Sequence, residues 1–193
     1  MWIDHRLGYA DGMTPRADAL RSRERILEAA RAIPVRDLRL NDLSVAAGVG
    51  VGTVYRHFPT VPALVEALNV DALAVLLDHA RAAAALEDPA DAFADFVRHA
   101  VALLVEREGL QDLIVLPPAS PAVAELVGEL HVTSAALLAS AQVAAVVRAD
   151  VTVGHIERLV CGIEHAVRLG EESDRALLMD VMLAGLRPGA VAP

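Results

Sequence analysis

The 193-residue chain contains one cysteine and no lysine, and only 3% of its residues are aromatic. Each scarcity excludes something. A lone Cys161 cannot close an intrachain disulfide, so the fold must be held by its core, and a reducing cytoplasm suits it. Mid-helix in an apolar stripe, Cys161 reads as a small buried hydrophobe rather than a sensing thiol. Few rings make an aromatic cage around a lipophilic cation a poor expectation. All seventeen basic residues are arginine, which, with the abundance of alanine, reflects a coding bias and carries no functional message. Long apolar runs are missing too. Mean hydropathy is high at +0.43, yet the longest uncharged stretch, Val132 to Val147, is shorter than the ~20 residues of a spanning helix and includes Thr133, Ser134, Ser140 and Gln142. No membrane association is expected. The start carries Asp4, His5 and Arg6 with no apolar segment after them, unlike a secretory signal.

Net charge is −9, unevenly spread. Residues 1–70 hold nine arginines against eight acids, near neutrality, whereas the remainder holds eight arginines against eighteen acids. A polyanion would be tolerated only at the N-terminal end.

Apolar residues recur at spacings of three and four almost throughout, and period-two alternation is lacking, so the expected fold is all-α with about nine helices. "RSRERILEAARAI" gives a first helix with a buried stripe of Ile26, Leu27, Ala30 and Ile33, stopped by Pro34. "LNDLSVAAG" and "VGTVYRHF" give two short ones. A long fourth helix runs from a Thr60 cap to about Leu86, joining the two parts without a flexible linker. Later starts are signalled by Asp88-Pro89, Ser120-Pro121, Thr152 and Ser173, and stops by Gly109, Pro117, Gly170 and Pro188. The organisation expected is a disordered leader (1–20), a tri-helical part (21–60) and a larger helical part (61–193). "MWIDHRLGYADG" fits no helix pattern, and Met13 is a candidate natural initiator. Were the leader retained, Arg6, Arg16 and Arg21 could form an arm along a DNA minor groove.

Two short helices separated by a glycine-containing turn form a helix-turn-helix pattern. Leu43 and Ala47 of the first and Val54 and Phe58 of the second would face inward. Gly52, Thr53, Arg56 and part of His57 would face out. Gly48 can take the left-handed backbone that ends a helix, Gly50 can cap the next, and Gly52 lets a helix N-terminus approach a phosphate. Thr53 and Tyr55 offer hydroxyls, and Arg56 a two-pronged donor matching the acceptor edge of guanine. The same pattern would also suit a purely structural tri-helical subdomain.

"LNDLSVAAGVGVGTVYRHFPTVPALVEAL" resembles the DNA-binding signature of TetR/AcrR-type transcriptional regulators, through Ala47-Gly48-Val49 and Gly52-Thr53-Val54-Tyr55. The resemblance covers roughly residues 21 to 68. It implies a homodimeric, ligand-responsive repressor on double-stranded operator DNA, with Arg39, Thr53, Tyr55, His57 and Thr60 near the DNA backbone, Gly52 giving clearance, and Arg56 or Thr53 reaching bases. The chain departs from the family pattern at three places. Arg39 stands where Ser or Thr often caps, Gly50 where Ser is common, and Val61 where many members carry a phosphate-holding Lys. Loss of that one cation should weaken binding and flatten its salt dependence by about one counterion.

The helix capped by Thr152 shows a stripe of Ile156, Leu159, Val160, Ile163 and Val167, with Glu157, Glu164 and Arg168 opposite; the last helix, bearing Leu178, Val181 and Met182, is apolar nearly all round. Meeting their symmetry mates as a four-helix bundle would bury both. A monomer with a very hydrophobic core is the alternative. An unidentified small effector would sit in an aliphatic pocket among helices four to eight. Candidate contacts are Phe96, His99, Leu103, His131, Cys161 and His165, each histidine being equally a packing residue. No histidine pair has metal-ligand spacing, and neither a cofactor nor a metal is implied. No catalytic constellation is recognisable, so an all-α enzyme is disfavoured. A helical interaction protein that has lost DNA binding remains the second reading. Operator, inducer, regulated genes and the sign of regulation are not encoded legibly.

Overall fold

The computed structural model describes residues 15–171 and 173–189. Met1 to Thr14 lie outside them, and with them the Met13 start and the Arg6 arm. Among the described residues the fold is all-α, with nine α-helices, and the chain divides into two compact units, ending and beginning at Val61 and Pro62.

The first unit holds α1 (Pro15–Arg31), a 3-10 turn (Val35–Asp37), α2 (Leu40–Ala46) and α3 (Val51–His57). Helix α1 begins six residues earlier than the apolar stripe indicates, so residues 15–20 of the expected leader are helical. Its polar first turns cost nothing at the surface: Pro15 opens it, where a missing N–H is harmless, and Asp18 pairs with Arg21 at 2.5 Å. It ends before Ile33, because the residue ahead of Pro34 is pushed out of helical geometry. Ile33 is therefore only half-buried, and Leu38, 1% exposed after the 3-10 turn, takes the core place foreseen for it. Ile26, Leu27, Ala30, Leu43, Ala47, Val54 and Phe58 are all buried, as their spacing predicts. The Arg23 guanidinium lies over the Phe58 ring, 5.4 Å from its centre, tying α1 to the end of α3.

The second unit comprises α4 (Val61–Ala84), α5 (Pro89–Glu106), α6 (Leu110–Val115), α7 (Pro121–Val143), α8 (Val153–Leu169) and α9 (Asp174–Gly185). Asp88 caps α5 by accepting the Ala90 and Asp91 N–H groups, and Ser120 caps α7. Thr152 and His155 form a reciprocal capping box on α8. Ser173, expected to cap α9, does not: its backbone is already helical and its hydroxyl donates to Glu171 instead. Helix α5 packs against α7 and α8, and α8 against α9. Three buried polar side chains of this unit are satisfied. Glu66 accepts the Ala119 N–H at 2.7 Å, Asn69 donates to the Val65 and Glu108 carbonyls, and Glu164 is held by Arg168, which also donates to the Leu104 carbonyl.

Helix α7, 23 residues with a mean hydropathy of 1.4 over its most apolar window, is long and apolar enough to cross a bilayer by composition. That differs from the expectation drawn from the uncharged run, because the window reaches back past Glu129. In the second unit, Val123, Val127, Leu130, Leu137, Leu138 and Ala141 give this helix a buried stripe, and it packs on α5, α6 and α8 as a core helix does.

Candidate functional site

Two places in the fold have the makings of a site. The first is the α2–turn–α3 segment. Helix α2 stops because Gly48 takes φ +61°, and Val49 N–H returns to the Ser44 carbonyl, closing the turn. Gly50 then sits extended as the N-cap of α3, its carbonyl accepting the Thr53 N–H at 2.8 Å. With Val54 and Phe58 buried, the 3.6-residue period leaves Gly52, Tyr55 and Arg56 exposed and Thr53 and His57 half-buried on one side of α3. A Cβ at Gly52 would meet no atom within 4 Å, so that side of the first turn is open.

Arg56 folds back along its helix, Nε donating to the Gly52 carbonyl at 3.1 Å and Nη2 to Thr53 Oγ1 at 3.1 Å. The Tyr55 hydroxyl donates to Asn41 Oδ1 at 3.2 Å, linking α3 to α2. Asn41 is a member of this surface that the sequence reading passed over; its only signal is a short polar amide in the first turn of the preceding helix. Arg39 flanks α2 without a capping bond, as an arginine must, and its Nη1 donates to the Arg36 and Leu38 carbonyls. Thr60 is exposed immediately before α4.

The second place is a partly open apolar cavity of about 50 Å³ inside the second unit. Leu76 of α4, Phe93, Phe96, Ala100 and Leu104 of α5, Ile114 of α6, Leu130, Ser134 and Leu138 of α7, and Val153, Ile156, Glu157, Val160 and Cys161 of α8 line it. Of the six residues expected there, Phe96 and Cys161 are on its wall. The other four are elsewhere. The buried stripe of α5 runs Phe93, Phe96, Ala100, Leu104, which turns Leu103 aside and sends His99 toward α4, where its ring stacks on His79 at 3.6 Å between centres. His79 Nε2 is 2.9 Å from Asp95 Oδ2, whereas His99 Nε2 is buried without a partner. Burial, with the neighbouring His79, lowers the His99 pKa. His165 is exposed, and His131 sits behind the cavity wall with Nε2 2.8 Å from Glu157 Oε1, close but not aligned as a hydrogen bond.

Glu157 corrects the sequence reading of α8. Val153, Glu157, Val160, Glu164 and Val167 are spaced by four and three residues, so both acids lie on the inward seam rather than opposite it. Glu164 is 4% exposed. Burial, then the Glu164, Glu157 and Asp112 carboxylates, raise the Cys161 thiol pKa, and burial with Glu164 raises that of Asp112. Counting heptads along α8 would have exposed this.

The expected dimer face needs the same correction. Ile156, Val160, Ile163 and Val167 are buried within the chain's own core, as is Met182, and Leu178 is half-buried. The five buried side chains therefore pack within the chain itself, and Leu178 is the one of these six left partly exposed. Leu159 and Val181 of that set are exposed, and Leu169 and Leu177, 77% and 65% exposed, extend them into one apolar stripe on each of α8 and α9. Among the described residues no group of three or more His, Cys, Asp or Glu side chains is placed to hold a metal ion.

Residues 88–188, more than half of the chain, match the C-terminal domain of SbtR-like transcriptional regulators, a TetR C-terminal domain. The chain belongs to the TetR family of transcriptional regulators. A TetR regulator from Mycobacterium vanbaalenii is 36% identical over 90% of this chain and 99% of its own, with a TM-score of 0.46. The TetR regulator SCO0520 from Streptomyces coelicolor is 28% identical over 87% and 99%, with a TM-score of 0.51. RolR, solved with resorcinol, shares the fold of this TetR-family chain at a TM-score of 0.58 and 18% identity, over 90% of this chain and 91% of its own. No curated protein sequence matches the chain.

Proposed function

We propose that this TetR-family chain is a cytoplasmic, homodimeric repressor that binds operator DNA through α3 and is released by a small, largely apolar molecule bound in the cavity of the second unit. The observation that carries the reading is the outward side of α3. An open glycine in the first turn, a hydroxyl pair and an arginine stand together there, while Val54 and Phe58 fix the helix from behind. Gly52 admits a phosphate to the unpaired N–H groups of the helix start. Thr53, Tyr55 and His57 then contact the backbone of the same strand, and Arg56, freed from the Gly52 carbonyl by rotation, offers its fork to a guanine edge. Arg39 and Thr60 flank the contact. With Val61 in place of a cation, affinity is modest and the salt slope shallower by about one counterion.

The exposed stripes Leu159, Leu169 on α8 and Leu177, Val181 on α9 are the surface a second copy covers, and a dimer reading successive major grooves needs its two α3 helices about one DNA turn (~34–36 Å) apart. Because α4 contributes Leu76 to the cavity wall, an occupant that enlarges the cavity moves α4, and DNA and effector then compete through one coupling free energy. RolR was solved with resorcinol and a Bacillus subtilis FadR with stearoyl-CoA, so the fold accommodates ligands of very different size. Nothing in the described residues resembles a catalytic constellation, and no enzymatic role is assigned.

A mobility-shift titration on the DNA upstream of the protein's own gene, against random-sequence DNA of equal length, tests the reading. Preferential, salt-sensitive retardation is expected. Equal affinity for both DNAs, or no retardation at low salt, would leave an interaction protein as the better description.

A further inference from the structure

The cavity wall is apolar except for three residues, and one of them carries a charge. Its lining holds a single ionisable carboxylate, Glu157, and no arginine or histidine; Ser134 and Cys161 complete its polar atoms. Resting on the reading of this cavity as the effector site, we propose that it selects a small apolar amine, the ammonium group held by the Glu157 carboxylate and the hydrocarbon body lying against Phe93, Phe96 and Leu130.

The charges around Glu157 favour a cation and oppose an anion. Burial first, and then the Glu164, Glu157 and Asp112 carboxylates, raise the Cys161 thiol pKa, so the negative charge near this part of the wall is not confined to Glu157. No arginine lines the cavity, and Arg168 of the same helix is committed to Glu164 and to the Leu104 carbonyl. His131 Nε2 stands 2.8 Å from Glu157 Oε1, within ion-pair distance, and Glu157 Oε2 is the oxygen left to accept from a ligand donor. A carboxylate-bearing ligand would bring a further negative charge beside Glu157, with Glu164 and Asp112 near the same stretch of wall. A purely apolar ligand would cover Glu157 Oε2 without giving it a donor. The volume, about 50 Å³ before any expansion, favours a short or slender body over a polycyclic one.

Calorimetric titration of the full chain, without DNA, with hexylamine, 1-hexanol and hexanoate at millimolar concentration and neutral pH compares three head groups on one body. Hexylamine should bind about tenfold more tightly than hexanol, consistent with one partly buried charge pair, and hexanoate most weakly. Glu157→Gln should abolish the preference for the amine while hexanol binding persists, which also reports that the cavity is intact. Hexanoate or hexanol binding as tightly as the amine, silence of all three, or an amine preference that survives Glu157→Gln would each overturn the proposal. DNA takes no part in the titration, so its failure leaves the operator reading standing, and a failed mobility shift leaves the titration decisive for the cavity.

Discussion

Replacing Gly52 by alanine should make the protein more stable and a worse DNA binder. Gly52 lies in the first turn of α3 with helical backbone, and a methyl there meets no atom within 4 Å. Alanine is favoured over glycine in a helix by roughly 0.5–1 kcal/mol, with somewhat less expected so near the helix start. Urea denaturation should therefore show a gain of about 0.5 kcal/mol. The same methyl occupies the space through which a phosphate would reach the helix N-terminus, so operator affinity should fall by about tenfold, the worth of one good charge-assisted backbone contact. Gly48→Ala is the control. Its surroundings are equally empty, but φ +61° makes any Cβ costly, by roughly 1–2 kcal/mol. It should lose stability while operator binding by the folded fraction is retained. Unchanged operator affinity in Gly52→Ala, with the expected stabilisation present, would refute the close approach of the α3 terminus to DNA.

Three further outcomes are expected. Leu177→Ala with Val181→Ala removes side chains 65% and 64% exposed in one chain; across a two-fold interface that should weaken association by roughly 3–6 kcal/mol, two to four decades in Kd by sedimentation equilibrium. Ile163→Ala, a cavity in the chain's own core, should instead cost roughly 2–4 kcal/mol of folding stability, and a dimer untouched by the first pair would refute the revised face. The lowered His99 pKa means the unfolded chain binds the extra proton first, so this residue's contribution is complete above pH 6.5 and is lost as pH falls below it; His99→Leu should flatten the stability–pH profile there, and an unchanged profile would count against it. Cys161, its thiol raised above 9.0 by burial and three carboxylates, should react with iodoacetamide at neutral pH several-fold more slowly in the folded than in the urea-unfolded chain; equal rates would show the site is open and uncharged.

The helices were legible because their boundaries are written in local chemistry. Asp88, Ser120 and Thr152 cap as their positions foretell, and Gly48 turns where the pattern requires it. The inward side of α3 was legible too, since Val54 and Phe58 leave little choice of rotation. What a single strip of sequence cannot convey is which of two apolar faces meets the chain itself. On α8 the stripe through Ile156 and Ile163 looked fit for a partner copy, yet α5 claims it, and the less continuous Leu159 and Leu169 are left outside. Glu157 and Glu164 were misplaced for the same reason: an acid within an apolar seam is read as surface unless its neighbours are known. His99 was similarly drawn toward the cavity on paper and lies against His79 in the fold.

The central claim is that the outward side chains of α3 read DNA. Measuring the salt-dependent affinity of the Arg56→Ala, Tyr55→Phe double variant for the DNA upstream of the protein's own gene tests it most directly. The double variant should fold like the parent, since both side chains are exposed and their bonds to Gly52, Thr53 and Asn41 lie at the surface, but lose roughly 2–4 kcal/mol of specific affinity and show a shallower salt slope. A double variant that still prefers that DNA with the parent's affinity and slope would contradict it.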